Sequence, residues 1–223
     1  MSKSRFNPTI VEEGLGAAAI AVTVLTSPLL RPWYSKWGAT EAEVKKTLPG
    51  DAQVPNPVLE TTRAITIQAP AEAIWPWLVQ MGQGRGGLYS YERLENLVGC
   101  GMRNADRIMP EHQELKVGDE FRLSQSDSTP AMLVLAIEAG RAVIVGGDDP
   151  PTSWAFTLNP IDETTTRLII RYRQDFEKSF GNVVSWRVFT EPISFWMERK
   201  MLQGIKARAE AAVSRHPTDG GNS

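Results

Sequence analysis

The feature that most limits the fold is a series of short segments between residues 120 and 173 in which apolar side chains recur at every second position. Phe121 and Leu123 alternate with polar neighbours, and residues 132–137 and 142–145 flank the turn Glu138-Ala139-Gly140-Arg141. Trp154, Phe156 and Leu158 alternate next, and then Leu168, Ile170 and Tyr172 stand opposed to Arg167, Ile169, Arg171 and Arg173. A period of two puts successive side chains on opposite faces of a strand. Segments this close together leave no room for the long crossovers that parallel pairing needs, so they read as hairpins of an antiparallel sheet with one face buried. Strand parity places the Arg167, Arg171 and Arg173 row on the outer face, with a cavity-lining row as the other option.

The buried face needs a cover, and helical periodicity supplies it. Over 192–213 Ile193, Trp196, Met197, Met201, Ile205, Ala209 and Ala212 form an apolar stripe, with Arg199, Lys200, Lys206 and Arg208 mostly on the other side, behind the cap-like Thr190-Glu191-Pro192. Over 71–81 Ile74, Trp77, Leu78 and Met81 fall at i, i+3, i+4 and i+7 after Pro70, and Gly82 ends the run. Pro76 inside it removes a backbone donor and predicts a kink. A shorter helix is expected over 91–98, with Ser90 as N-cap and Tyr91, Leu94, Leu97 and Val98 facing inward. A strand over 63–68, with Ile65 and Ile67 on one side, precedes both.

The stretches TTRAITIQAPAEAIWPWLVQMGQGRGGLYSYERLENL, LKVGDEFRL, TSWAFTLNP and TTTRLIIRYR resemble the SRPBCC superfamily (START-like, polyketide cyclase and lipid-transport type), in particular its bacterial members. The resemblance covers about residues 37–212, and WPWLVQMGQGRGG is its most specific part. It implies an α+β helix-grip fold, a curved antiparallel sheet wrapped around a long C-terminal helix and enclosing a deep, largely apolar cavity. Carriers, cyclases, hydrolases and chaperone regulators all occur in that superfamily, so the fold alone does not decide an activity. The expected division of the chain is an N-terminal segment with an apolar helix outside the domain (1–37), a linker (38–60), a ligand-binding domain (61–215) and a disordered tail (216–223).

The N-terminal segment holds 17 uncharged residues between Glu13 and Arg31, just short of the ~18–20 that cross a bilayer core. Trp33, Tyr34 and Trp37 follow where interfacial aromatics sit. Three readings stay open: an uncleaved anchor or membrane-lying helix contacting the bilayer over 14–37, a helix docked on the domain, and a cleaved signal. The basic residues flanking it, Lys3 and Arg5 before and Arg31, Lys36, Lys45 and Lys46 after, favour a cytoplasmic main domain, so the expected location is membrane-associated with that domain cytoplasmic, or otherwise cytoplasmic. A lone Cys100, unable to form an internal disulfide, agrees with a reducing compartment.

With 24 basic against 26 acidic residues and a net charge of −2, dispersed along the chain, there is no footprint for nucleic acid. Two histidines and one cysteine argue against a zinc site, and no metal or cofactor is expected. Gly82, Gly84 and Gly87 satisfy GxGxxG, but the motif follows a helix instead of a strand, so it is not a dinucleotide fingerprint. It reads as a flexible turn that brings Arg85 to the lip of a cavity. The candidate ligand-binding residues are Trp77, Gln80, Arg85, Tyr89, Tyr91, Glu92 and Asn96 at that lip, with Trp154, Met197 and Met201 on the enclosing sheet and helix. An Arg85–Glu92 ion pair bracing the lip is the competing use of two of them.

The chain lacks a recognisable acid–base pair, which favours a container for a hydrophobic or amphipathic, lipid-like small molecule. The alternatives are a cyclase- or hydrolase-type enzyme using Arg85, Tyr89, Glu92 and His112, and a membrane-associated interaction module with Trp186, Phe189 and Phe195 exposed.

Overall fold

The computed structural model describes residues 8–215; the expected tail over 216–223 and the charges of Lys3 and Arg5 lie outside the described residues. Six strands, β1 Leu59–Ile67, β2 Glu120–Phe121, β3 Met132–Glu138, β4 Ala142–Asp148, β5 Pro151–Pro160 and β6 Thr166–Gln174, form one curved antiparallel sheet in the order β1-β6-β5-β4-β3-β2. Strands β2 to β6 are sequential neighbours, as hairpin links require. β1 then pairs along β6, with Leu59 opposite Gln174 and Ile67 opposite Thr166. It begins at Leu59 and not at 63, because Thr61 and Arg63 follow Leu59 on the inward face and interrupt its apolar alternation.

The helices are α1 Pro8–Tyr34, α2 Glu41–Lys45, α3 Ala71–Val79, α4 Glu92–Leu97, α5 Phe180–Val184 and α6 Glu191–Arg215. α6 crosses the concave face of the sheet, giving the helix-grip arrangement. Its C-terminal half is fully seated: Met201, Leu202, Ile205 and Ala209 join Trp77, Leu78, Phe156 and Leu168 in the main core. Gly204 permits the close approach, since a Cβ there would come within 2.3 Å of the Tyr89 carbonyl oxygen.

Upstream of α6 the helix does not begin at a cap. It continues from α5 through a π-helical stretch, Ser185–Thr190, into α6. Pro192 has no N–H to return to the preceding turn, and a widened turn is the usual way a helix absorbs such a break. Thr190, expected to be part of a cap, instead bonds back to the Ser185 carbonyl.

The Arg167, Arg171 and Arg173 row does lie on the outer face, yet it is not solvated. Arg171 is buried and donates to the carbonyls of Glu43, Val44 and Lys46 and to the Asp51 carboxylate. Arg167 pairs with Glu43, and Arg173 donates to the Asp51 carbonyl. The 38–57 stretch is thereby strapped across the back of the sheet, with α2 opened by a full capping box on Thr40 and Glu43. Leu48, Ala64 and Ile169 form a small core beneath it.

α1 is docked along α6. Thr23 accepts a bond from the Trp196 indole, Ser27 donates to the Arg187 carbonyl, and Arg31 makes two bonds to Glu191. Its C-terminal end covers Phe195, which is fully buried against Trp33, Tyr34 and Trp37. The expectation that Phe195 is an exposed aromatic is therefore corrected. Phe189 is exposed and Trp186 half-buried. On the far side of α1, Val11, Leu15, Val22, Leu25 and Leu29 remain exposed, and its Thr9–Ser27 stretch is long and apolar enough to cross a membrane by length and composition.

Candidate functional site

Where the C-terminal half of α6 fills the sheet, its N-terminal half does not. Ile193, Ser194, Met197 and Glu198 line the space toward the ends of β1, β6 and β5, two of them short or polar, and a cavity of about 550 Å³ remains. The loops around Leu88, Leu123 and Pro130 and the end of β4 at Gly147, together with Trp186 and Thr190 of the π-helical stretch, complete its walls. This volume lies in the range of small-molecule sites.

One wall is aromatic. Trp154 packs on Phe156 at 4.8 Å between ring centroids, edge-on to Phe121 at 6.0 Å and to Tyr172 at 6.5 Å. Burial raises the Tyr172 phenol above its ordinary value, with Glu198 adding to the effect. The other lining groups are polar and deeply placed. Arg63, 1% exposed, donates from Nε to the Tyr34 carbonyl at 2.9 Å, pairs through Nη1 with Glu198, and lies 5.4 Å from the centre of the Phe195 ring. Its Nη2 has no protein partner, and neither do Thr61 Oγ1, Trp154 Nε1, Gln174 Oε1 or Glu95 Oε2. Buried polar atoms are nearly always satisfied, and these five belong to residues of the lining.

Glu95 enters this lining because α4 is turned the other way from expectation. Leu97 and Val98, expected to face inward, are 82% and 77% exposed, whereas Glu95 is 6% exposed. The cavity gives the carboxyl room that a close-packed apolar contact would deny it. Burial, with Glu92 and Glu13 nearby, pushes its pKa up to about 7.

The sequence-derived candidates separate into three groups. Trp154, Met197 and Met201 line the cavity. Tyr89, Tyr91 and Glu92 line a second, surface groove of about 650 Å³ between α1, α4 and α6. There Glu12 pairs with Lys200, Glu13 with Arg93, and Glu92 accepts from the Asn104 amide. Trp77, Gln80 and Arg85 are internal braces, and Asn96 is an exposed one. Trp77 packs edge-on to Tyr89 and receives the Tyr89 hydroxyl bond on its carbonyl. Gln80 bonds the backbone at Arg107 and Met109, and Asn96 makes two bonds to the Met102 backbone.

Arg85 donates to the carbonyls of Val79 and His112. It makes no ion pair with Glu92 and is not in the cavity lining. The turn that carries it is closed, with Gly82 and Gly87 exchanging backbone bonds and Gly86 donating to the Gln80 carbonyl. A Cβ on Gly87, at φ +77, would lie 2.5 Å from the Arg103 carbonyl. The glycines thus make a tight turn where a flexible one was expected.

Missed in the sequence were Thr61, Arg63, Glu95, Tyr172, Gln174 and Glu198. A signal for two of them was present. Arg63 is in phase with Ile65 and Ile67, and Glu198 with Met201 and Ile205, so opposite charges stood on two faces that were each otherwise reading as buried.

Among solved structures the chain is similar to KanY protein, at 10% identity over 68% of this chain and 97% of that one, with a TM-score of 0.44. It is similar also to a polyketide-cyclase-like protein of Corynebacterium glutamicum, at 15% identity over 76% and 100% of the two chains, TM-score 0.36. A third is CalC, a self-sacrificing resistance protein of Micromonospora echinospora, at 10% identity over 69% and 95%, TM-score 0.43. No family model and no curated protein matches the chain. Likeness this distant concerns overall fold and carries nothing about ligand or activity.

Proposed function

We propose that the protein binds a hydrophobic or amphipathic, lipid-like small molecule in this cavity and does not transform it. The observation that carries the proposal is the cavity of about 550 Å³ with mainly apolar walls. Extraction and native mass spectrometry of the purified full chain should recover a bound apolar molecule, and an apolar fluorescent probe should bind with saturation. Met197→Trp, which fills the space, should abolish both. Repeated recovery of empty protein with no saturable binding overturns the proposal.

We extend the proposal to location: the apolar outer face of α1 rests on a bilayer with the main domain on the cytoplasmic side. A helix apolar on one exposed face and docked on the other suits an interfacial position better than a span. Full-length protein should float with liposomes, and Leu25→Glu with Leu29→Glu, both 83% exposed, should release it at unchanged stability. Flotation unaffected by the double change refutes this part.

A second reading, a cyclase- or hydrolase-type enzyme in the same cavity, is favoured by one observation. A carboxyl with a pKa near 7 suits proton transfer at neutral pH, and Glu95 is one. If Glu95→Gln leaves any turnover found for the protein unchanged, this reading falls.

A further inference from the structure

The surface groove of about 650 Å³ between α1, α4 and α6 carries three acids and three bases on its walls. Four of these answer each other, Glu12 with Lys200 and Glu13 with Arg93. Glu92 and Arg208 are left over. Neither makes an ion pair with any described residue, although the Glu92 charge is felt at the guanidinium. Arg208 is half-buried, and burial lowers its pKa from the ordinary value against the opposing effects of Tyr89, Asp106 and Glu92. A guanidinium partly withdrawn from water with no carboxylate beside it is costly, and a bound anion offsets that cost.

The backbone sets how far apart these two charges stand. Glu92 Oε2 accepts the Asn104 amide N–H at 2.7 Å, and Arg208 Nε donates at 2.8 Å to the carbonyl of Ala105, the next residue. A backbone nitrogen lies no more than about 6.5 Å from the carbonyl oxygen of the following residue, so the bonded carboxylate and guanidinium atoms are within about 12 Å of each other. Each group keeps an atom in reserve. Arg208 Nη1 bonds the Gly204 carbonyl, but Arg208 Nη2 and Glu92 Oε1 make no bond within the protein, and neither is closed off from solvent. The Tyr91 hydroxyl and the Gln203 amide, on the same walls, are likewise unbonded and open, although Tyr91 as a whole is only 6% exposed. Tyr89 beside them is the one described non-glycine residue at positive φ, 57°. Its N–H is held by Asn104, and its ring centre lies 4.7 Å from the Arg208 guanidinium. Strain of this kind persists only where the surroundings over-determine it.

We infer that the groove binds a zwitterion of the phosphoethanolamine type, with its phosphodiester at Arg208 and its ammonium group at Glu92. A simple anion satisfies Arg208 but adds its charge near Glu92, and a simple cation has the opposite fault. A zwitterion answers both and suits walls whose charges balance. Arg208 Nη2 has two N–H bonds to give, Glu92 Oε1 accepts from an ammonium, and Gln203 and Tyr91 supply further donors for phosphate oxygens. A groove of about 650 Å³ has room for the glycerol that follows a phosphodiester. Two sources present this chemistry, a soluble phosphodiester and a phospholipid of the bilayer on which α1 is proposed to rest. An empty cavity leaves the groove site untouched.

Titration calorimetry of the full chain with glycerophosphoethanolamine, dimethyl phosphate and ethanolamine tests it. The zwitterion should bind at least about tenfold tighter than either single-charge half. Glu92→Gln, which keeps an acceptor for the Asn104 amide, and Arg208→Gln should each weaken it about tenfold, with urea midpoints checking that both variants are folded. Absence of binding, a half that binds as tightly as the zwitterion, or wild-type affinity in both folded variants overturns the inference. The comparison among the three ligands stands on the wild-type chain even if a variant fails to fold. Flotation with phosphatidylcholine vesicles, with and without phosphatidylethanolamine, separates the sources, because a quaternary ammonium has no N–H for Glu92. A rise with phosphatidylethanolamine that glycerophosphoethanolamine competes away supports the inference with the lipid head as ligand. No rise, with calorimetric binding intact, supports it with a soluble phosphodiester as ligand.

Discussion

Replacing Glu95 by glutamine should make the protein more stable, and by an amount that depends on pH in a defined way. The carboxyl is 6% exposed and its Oε2 has no partner. Burial first, then Glu92 and Glu13, raise its pKa from 4.5 to about 7. Below pH 4.5 the group is protonated in both folded and unfolded chains and makes no difference between them. As pH rises the unfolded chain releases the proton near 4.5 while the folded chain holds it to about 7, so stability is lost across that window. At 1.36 kcal/mol per pH unit the full loss is about 3 kcal/mol, reached above pH 7. Glutamine has the same shape and never ionises. The stability of Glu95→Gln minus that of wild type, from urea unfolding followed by tryptophan fluorescence, should therefore climb from near zero at pH 4.5 to about 3 kcal/mol at pH 8. Other titrating groups are common to both proteins and largely cancel in the difference. A difference that stays flat across this range, or a variant less stable than wild type at pH 8, refutes the placement of Glu95 as a buried carboxyl without a cation.

Glu198→Leu should cost about 3–5 kcal/mol by stranding the buried Arg63 guanidinium, and the double change with Arg63→Met should recover most of it, both read by urea unfolding. Gly204→Ala should destabilise by at least about 1–3 kcal/mol, because its Cβ meets the Tyr89 backbone 2.3 Å away; a neutral effect would mean that α6 does not rest on that backbone. Arg171→Met should lose about 1.5–3 kcal/mol for a charged donor whose buried acceptors are left behind, and limited proteolysis should then cut within 38–57 well before the sheet.

What could be read from the sequence was what leaves a period. β3 to β6 and the C-terminal half of α6 each present a periodic apolar face to the main core, so Trp154, Phe156, Leu168, Ile205 and Ala209 were legible as core. The strap over 38–57 was not, because Arg171 holds it through main-chain carbonyls that any sequence would present. The burial of Phe195 was hidden for a related reason. It depends on α1 lying along α6, a contact between residues more than 150 positions apart. α4 defeated the rule that apolar residues face inward, since Leu97 and Val98 are spent on solvent while Glu95 takes the cavity side.

The two halves of α6 explain why the legible and the illegible parts divide as they do. Its C-terminal half packs against the sheet with large apolar groups, and close packing is what makes a periodic pattern mandatory. Its N-terminal half, entered through the π-helical stretch, keeps Ser194 and Glu198 facing β1, β5 and β6 and leaves the space unfilled. A chain selected only for stability would place leucine or phenylalanine there and satisfy Trp154 Nε1 and Gln174 Oε1 by replacing them. Keeping buried, unpartnered polar atoms beside an open apolar volume lowers stability, and such departures from local packing rules concentrate where function resides. The same reasoning sets the order of effects along the helix: substitutions at Gly204, Ile205 or Ala209 should register first in unfolding, and those at Ser194 or Met197 first in ligand binding.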